Sequence, residues 1–411
     1  CLGCLSSAAR PPRIGPLPPE MRLALRADKL FVLTLTISTM PKENFRGVLK
    51  VFSENFSSHS IFFNLALKNP FSFVILNLRT LTKEGIIMDS PQTINGLMRH
   101  LRDDCKIDIN GSKQKKQLIS YGYYHGYKGY RFIKNKSTQI PYSSFSEIIA
   151  VIEYDNTLKS ALYPNLMFIE TALKNIVCNE SVKGLRLGTF DHIYKERMND
   201  NPTNTRLQSN RLKLRNAVYS KLSKRYHDEE SMENQMVRHF YSRGEDVPVW
   251  VIFEILYLSE LASYFECLNE TTRERILCEL NMFDISIDTN RSLLSGMVYT
   301  LKSLRNAVAH NSIVFDTRFK DRKINTVLKK WIEKETNIQN ITLYSLIDYI
   351  IIVCCLLKRI DFNTARAKRL LSEYKYQNQL LQNNVAPNIY SLIVHQNVTQ
   401  KISALENYLN S

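Results

Sequence analysis

The chain has 411 residues, 44% of them hydrophobic, and it carries a formal net charge of +16. This length allows two or three domains with a sizeable core, and the hydrophobic share is ordinary for a globular protein in water. The basic excess favours a polyanionic partner, nucleic acid before a membrane surface. No uninterrupted apolar stretch reaches the roughly 18 residues that a membrane-spanning helix needs, so we expect no membrane partner.

The eight cysteines are not spaced as metal ligands or as a disulfide framework. Cys1 and Cys4 form a lone Cys-x-x-Cys pair at the extreme start, and Cys354 and Cys355 lie in an apolar run that is typical of core packing. The sequence therefore predicts a reducing, cytoplasmic location, with no metal and no cofactor.

The first 87 residues differ from the rest of the chain. Five of the thirteen prolines fall within the first twenty residues, a composition typical of disorder, and short β-prone stretches follow at residues 30–38 and 71–78. The chain also begins with Cys. We therefore expect residues 1–87 to be an extension, or upstream sequence read in frame, with Met88 as the natural start. The predicted domains after it are a basic, Tyr-rich subdomain at 88–146, a helical domain at 147–325 and further helical segments at 326–411.

A tract rich in lysine and tyrosine contains no acidic residue between Gly111 and Ser146. Cations neutralise phosphates and aromatic rings stack on unpaired bases, so the tract predicts contact with RNA. The alternative is that the tyrosines pack a small subdomain while the lysines are solvated. The candidate RNA-binding residues here are Lys113, Lys115, Lys116, Tyr123, Tyr124, His125, Tyr127, Lys128, Tyr130 and Arg131.

A second basic tract has no acid between Asp200 and Asp228. It predicts another surface for a polyanion, with Arg211, Lys213 and Arg215 as the candidate RNA-binding residues.

Helical periodicity dominates the rest of the chain, which predicts a mainly α fold. One helical stretch covers residues 147–180, with Pro164 as a break or a start. Residues 247–250 open a long helix that is apolar nearly all round, where Glu254 would need a buried partner. Two more helices are predicted at residues 343–360 and 365–381.

The candidate catalytic residues stand at the end of another predicted helix. An apolar stripe over residues 293–304 runs directly into Arg305, and Asn311 is part of the first stop signal. Asn306 and His310 are four apart and share a helix face. A permanent cation, an amide and an imidazole that titrates near neutrality suit phosphate chemistry.

The bare Arg-Asn string is a weak signal. Arg215 and Asn216 repeat its start, but Ser220 stands where the histidine would be. The interpretation therefore depends on His310. Among the acids of the predicted 147–180 helix, Glu153, Asp155 and Glu170 are candidates to orient the arginine or the histidine, although acids that face solvent are the commoner outcome.

Four segments occur in an order that is specific when they are taken together. They are Gly122 to Phe132 (GYYHGYKGYRF), Phe168 to Leu173 (FIETAL), Pro248 to Glu254 (PVWVIFE) and Arg305 to His310 (RNAVAH). This set resembles the Abi family of bacterial abortive-infection proteins, the AbiD/AbiF-like group. The resemblance runs from Ser90 into the C-terminal region and leaves residues 1–87 unmatched.

The resemblance implies a HEPN-like helical bundle, preceded here by the basic, aromatic N-terminal subdomain. HEPN ribonucleases carry an arginine and a histidine with four to six residues between them. Arg305 and His310, with four residues between them, fit that pattern, and Asn306 is the polar residue that follows the arginine. It further implies a metal-independent endoribonuclease that arrests growth during phage infection and leaves a 2′,3′-cyclic phosphate. A homodimer with a composite site, and a structured small RNA that restrains the enzyme, are also implied.

Three alternatives remain open at this point. The chain could be a non-catalytic RNA-binding module with a vestigial motif. It could instead be a toxin that cleaves one specific tRNA or waits for a phage trigger. A DNA-binding regulator is a weaker alternative, because no helix-turn-helix pattern stands out.

Overall fold

A computed structural model provides the structure of the protein. It describes five strands within residues 21–86, and residues 93–411 apart from 228–231, 322 and 362. The chain divides into two compact units, Cys1–Gln92 and Thr93–Ser411. The proline-rich start, residues 71–78 and Met88 lie outside the described residues.

The first unit contains the strands. Strand β1 (Met21–Leu25) pairs antiparallel with β2 (Phe31–Leu35), and β2 pairs parallel with β3 (Phe62–Leu65). Strands β4 (Leu81–Thr82) and β5 (Gly85–Ile86) form a separate antiparallel pair. The β-prone stretch at residues 30–38 thus contains β2.

The second unit is a bundle of α-helices over its described residues, so the prediction of a mainly α fold is confirmed. Its helices are α1 (Ile94–Arg99), α2 (Gly111–Tyr121), α3 (Phe145–Val182), α4 (Phe190–Glu196), α5 (Thr205–His227), α6 (Met232–Tyr241), α7 (Val249–Ile255), α8 (Leu258–Cys267), α9 (Glu270–Glu279), α10 (Leu293–Ala309), α11 (Thr326–Thr336), α12 (Leu346–Ile360), α13 (Ala365–Asn384), α14 (Pro387–Ile393) and α15 (Val398–Asn410). Two π-helical stretches, His100–Asp104 and Gly122–Lys128, follow α1 and α2.

Helix α3 is the central element of this unit. It packs against α7, α9, α10, α12 and α13, and its apolar face is buried along nearly its whole length. Ser144 and Glu147 form a capping box at its start, which fixes where the helix begins. Helix α12 is buried almost all round, as its continuous apolar sequence requires.

Pro164 neither breaks nor starts a helix, which corrects one prediction, because α3 runs through it. A proline inside a helix removes one backbone hydrogen bond and frees a carbonyl one turn earlier. Pro164 and Ser160 are both exposed, so water can reach that carbonyl. The Asn165 side chain also donates to Ala161 O at 2.8 Å, which satisfies a neighbouring carbonyl.

The long helix predicted to open at residues 247–250 is two helices, and this is a second correction. Leu256 leaves the helical region with ψ 138°, and α8 begins two residues later. The Glu260 carboxylate accepts from Tyr257 N–H at 2.7 Å and so starts the new helix. No glycine or proline marks the break, which is why the periodicity hid it.

Glu254 has no need of a buried partner, because it is exposed. Trp250, four residues earlier on the same face of α7, is 56% exposed as well. The short helix therefore turns this one face to solvent and buries the others.

Over the residues that the structure describes, no helix combines the length and the apolar character needed to cross a bilayer.

Candidate functional site

Helix α10 ends where the sequence predicted, in a turn that presents His310. Ser312 N–H donates to Ala307 O at 2.8 Å, and Asn311 has the left-handed φ of +52°. This is a Schellman-type end, and asparagine is one of the few residues that adopts that backbone conformation readily. His310 caps the helix and is exposed. We call residues 310–312 the motif turn.

Arg305 is held by an acid from the centre of α3. Its Nε donates to Glu170 Oε2 at 3.0 Å, while Lys174 Nζ lies 3.3 Å from the other carboxylate oxygen. Glu170 is only 8% exposed, so the two cations offset the desolvation of its charge. The Arg305 side chain is 29% exposed, and no described residue hydrogen-bonds its two terminal nitrogens. The outer edge of the guanidinium therefore remains available for an anion.

A second buried acid, Asp155, connects three segments of the chain. Its Oδ1 accepts from the N–H groups of Val314 and Phe315 at 2.9 and 2.7 Å, just after the motif turn. Its Oδ2 accepts from Tyr130 OH at 2.8 Å and lies 3.2 Å from Lys159 Nζ. Burial raises the pKa of Asp155, although the Lys159 ammonium and these hydrogen bonds oppose the rise. Burial next to this acid also raises the pKa of Tyr130, which therefore stays a donor.

Lys159 continues this network to the motif turn. Its Nζ donates to Asn311 Oδ1 at 2.6 Å, and Asn311 Nδ2 lies 3.4 Å from His125 Nε2. The network therefore brings His125, from the Tyr-rich tract, next to the turn that carries His310. Both histidines are exposed.

The predicted tyrosines divide between the core and the surface. Tyr127 and Tyr130 are 2% and 0% exposed, so neither ring has a face for a base, and we remove both from the proposed RNA surface. Tyr130 instead stacks on Phe315, with ring centroids 6.0 Å apart. Tyr123 is half-buried, and Tyr124 is 81% exposed. Tyr124 is thus the tyrosine of this group that is best placed to stack on a base.

Further contacts fix the Tyr-rich tract against the segment after the motif turn. Arg318 donates to the carbonyl oxygens of Gly129 and Phe132 at 2.8 and 2.7 Å. A side chain at Gly129 would place its Cβ 3.1 Å from Ile313 Cδ1, so glycine permits the close approach. These contacts hold in place the residues that directly follow His125.

The predicted cations differ in their availability. Lys113 and Lys116 are exposed on α2, and Lys213 and Arg215 are exposed on α5. Arg211 is 4% exposed, because it packs over the Tyr194 ring and pairs with Asp200, so we remove it from the proposed surface as well. The half-buried cations of the Tyr-rich tract are Lys115, Lys128 and Arg131.

Glu170 and Asp155 are two of the three candidate acids that the sequence offers, and the third, Glu153, is exposed. Lys159 and Lys174, which each follow their acid by four residues and pair with it, were not predicted from the sequence. That spacing on an otherwise apolar helix was the available signal. Over the described residues, no group of three or more His, Cys, Asp and Glu side chains is arranged to hold a metal ion.

These features define a helical protein with an Arg–Glu pair beside an exposed histidine turn. Residues 116–316 match the family model described as Abi-like protein. This region of the chain is therefore Abi-like, and it contains Glu170, Arg305, the motif turn and His125. No curated protein and no solved structure was found to match the chain.

Proposed function

We propose that this protein is an endoribonuclease of the HEPN type that acts in abortive infection. It cleaves RNA by attack of a ribose 2′-OH on the adjacent phosphate and releases a 2′,3′-cyclic phosphate, without a metal ion. The observation that carries the proposal is the Arg305–Glu170 pair, which holds a guanidinium with a free outer edge five residues before the exposed His310. The match of residues 116–316 to the Abi-like family model supports the role in abortive infection.

The three motif residues divide the chemistry between them. His310 takes the 2′-OH proton as general base, or donates a proton to the leaving 5′-oxygen as general acid, since an imidazole suits both steps near neutral pH. Arg305 binds the non-bridging oxygens through its terminal nitrogens and stabilises the charge that develops on phosphorus. Asn306 lies one turn before His310 and positions the phosphate or the imidazole.

The electrostatics of the motif turn are compatible with a bound phosphate. The C-terminal end of a helix carries partial negative charge, which disfavours an anion. Arg305 and Lys159 place two cations beside the end of α10 and offset that effect. Their acidic partners, Glu170 and Asp155, are buried and already hydrogen-bonded, so no acid faces the phosphate from these two positions.

The exposed cations and Tyr124 form the proposed RNA-binding surface. Lys113 and Lys116 on α2, together with Lys213 and Arg215 on α5, neutralise phosphates. Tyr124 stacks on a base. The partners proposed with this surface are a target RNA, a structured small RNA that restrains the activity, and a second copy of the chain that completes the site.

The proposal is tested with purified His310→Ala, assayed for RNA cleavage in the presence of EDTA. We expect cleavage by the unaltered protein to persist with EDTA and to be lost in the variant, with the cyclic phosphate as the product end. The matched control is His239→Ala, an exposed histidine on α6, which should keep full activity. Undiminished cleavage by His310→Ala would refute the assignment.

One observation favours a second candidate, a non-catalytic RNA-binding protein. Glu170 engages Arg305 in the structure as it stands, so the arginine could serve only to join α10 to α3. RNA affinity with no cleavage of any RNA, and no toxicity on expression, would favour this candidate. Toxicity that disappears in His310→Ala would favour the nuclease.

A further inference from the structure

The contact between Asn311 and His125 has a defined polarity. A lysine ammonium is only a donor, so the Asn311 atom that faces Lys159 at 2.6 Å must be the amide oxygen. The amide nitrogen, which carries only donors, therefore points at His125. The amide orientation follows from Lys159 and does not depend on the assignment of the two amide atoms.

This polarity selects one form of the His125 ring. A donor directed at Nε2 needs a lone pair there, so the proton of the neutral imidazole lies on Nδ1. An imidazolium would place two N–H groups against each other across 3.4 Å. Lys159 is in turn anchored by Asp155 at 3.2 Å, so a buried network enforces this arrangement.

We propose that His125 is a catalytic residue that donates a hydrogen bond from Nδ1–H, as a neutral imidazole, to a non-bridging oxygen of an RNA phosphodiester bound beside the motif turn, on the side of the ring away from Asn311. This rests on the proposed ribonuclease function. In this role His125 donates a hydrogen bond and exchanges no proton with the substrate, so proton transfer is left to His310. A fixed neutral donor aimed at a phosphate oxygen stabilises the transition state because it needs no reorganisation when charge develops.

The surroundings of His125 fit a phosphate oxygen as the acceptor. His125 is exposed, and its contact residue Asn311 directly follows His310. The tract that carries His125 has no acid between Gly111 and Ser146. The acid nearest in the network, Asp155, is fully buried and bound by four donors. An RNA strand that stacks a base on the neighbouring Tyr124 would bring its backbone to this ring.

Two substitutions of His125 distinguish the roles of its two ring nitrogens. An asparagine amide nitrogen falls near the position of Nδ1, whereas a glutamine amide nitrogen falls near that of Nε2. We expect His125→Asn to keep a rate at least tenfold above that of His125→Gln, and the glutamine variant to lose on the order of 100-fold in kcat, as when one donor to a developing oxyanion is removed. The KM of both variants should change little. The plot of rate against pH for His125→Asn should keep both the acidic and the alkaline limb of the unaltered protein. The control is His239→Gln.

The inference is overturned if both His125 variants are equally inactive and one limb of the pH profile disappears, because His125 would then transfer a proton. It is also overturned if both variants retain full activity. In either case His310→Ala still reports on the proposed function. Undiminished cleavage by His310→Ala would refute the ribonuclease assignment, and the inference with it.

A measurement that needs no activity checks the ring itself. Nitrogen NMR of the imidazole in the intact protein, at a pH where His125 is neutral, should show the proton on Nδ1. Asn311→Asp keeps the shape of the side chain but offers only acceptors, so it should move the proton to Nε2 and lower the cleavage rate to that of His125→Gln. A proton on Nε2 in the unaltered protein would contradict the inference and leave the proposed function standing.

Discussion

Arg305 Nε and Glu170 Oε2 lie 3.0 Å apart, although 135 residues separate them in the chain. The pair joins α10 to the middle of α3 and leaves the outer edge of the guanidinium open. Lys174 shares the carboxylate, so two cations offset the cost of burying Glu170. The position of the arginine is thus determined by a residue from another helix.

Glu170→Gln should lower the cleavage rate on the order of 100-fold while the protein remains folded. The amide can accept one hydrogen bond but no longer holds two cations, so Arg305 moves from its place, and small displacements of a catalytic group cost about this much. Single-turnover cleavage gives the rate, and thermal unfolding checks the fold. Glu153→Gln, at an exposed acid on the same helix, is the control. An unchanged rate would mean that the pair does not serve catalysis.

Asp155→Ala should destabilise the protein by about 3–5 kcal/mol, because it leaves Lys159 buried without its partner and removes the acceptor of two backbone N–H groups. Denaturant unfolding measures the free energy. Tyr130→Phe removes only one hydrogen bond to the same carboxylate and should cost about 1–1.5 kcal/mol. Equal losses in the two variants would contradict a connecting role for Asp155.

Tyr124→Ala should weaken RNA binding by about 1–3 kcal/mol, the cost of losing the proposed stack on one base. The unfolding free energy should be nearly unchanged, because the ring is exposed. Lys116→Gln should weaken binding less and reduce the salt dependence of log Kd by about 0.7, because one phosphate is no longer neutralised. Both are read from binding titrations at several salt concentrations. Lys375→Gln, at an exposed lysine on α13 paired with Glu406, is the control, and it should leave both quantities unchanged. An unaffected Kd in Tyr124→Ala would remove this ring from the surface.

The lowered pKa of Glu147 predicts that the stability of the protein depends on pH. Burial alone would raise its pKa, but hydrogen bonds from Ser143, Ala386 and Ser144 outweigh burial and lower it. In the unfolded chain this carboxyl has a pKa of about 4.5. Because its pKa is lower in the folded protein, the ionised Glu147 stabilises the fold above that pH. The stabilisation is lost as the pH falls through the folded-state pKa. Glu147→Gln should therefore be less stable than the unaltered protein at neutral pH, by about 1 kcal/mol, and the gap should close in acid. A gap that stays constant down to about pH 3 would show that the charge does not matter.

Local sequence predicted the elements whose causes are local. The stripe over residues 293–304 and the asparagine after His310 predicted α10 and its stop, because periodicity and the left-handed turn are properties of adjacent residues. The break before Tyr257 was missed, since the Glu260 carboxylate replaces the usual turn residues. Pro164 was misread because its tolerance depends on which face of α3 meets water.

The candidate site was only partly predictable for a different reason. The sequence named Arg305 and His310, and offered Glu170 as one of three acids. It could not show that Asn311 contacts His125, because 186 residues separate them and no periodicity connects them. Nor could it assign Tyr130 to the core, since this ring is buried against Phe315, which lies far along the chain.

The network around Asp155 has a consequence for how the protein is made. The ribosome completes the Tyr-rich tract and α3 long before it reaches Arg305, and the backbone donors of Val314 and Phe315 come later still. A nascent chain that stops before Arg305 carries the exposed lysines and Tyr124, but it lacks the arginine, the motif turn and the partner that orients His125. The site can therefore assemble only after synthesis has passed residue 315, so translation products that end before it are expected not to cut RNA.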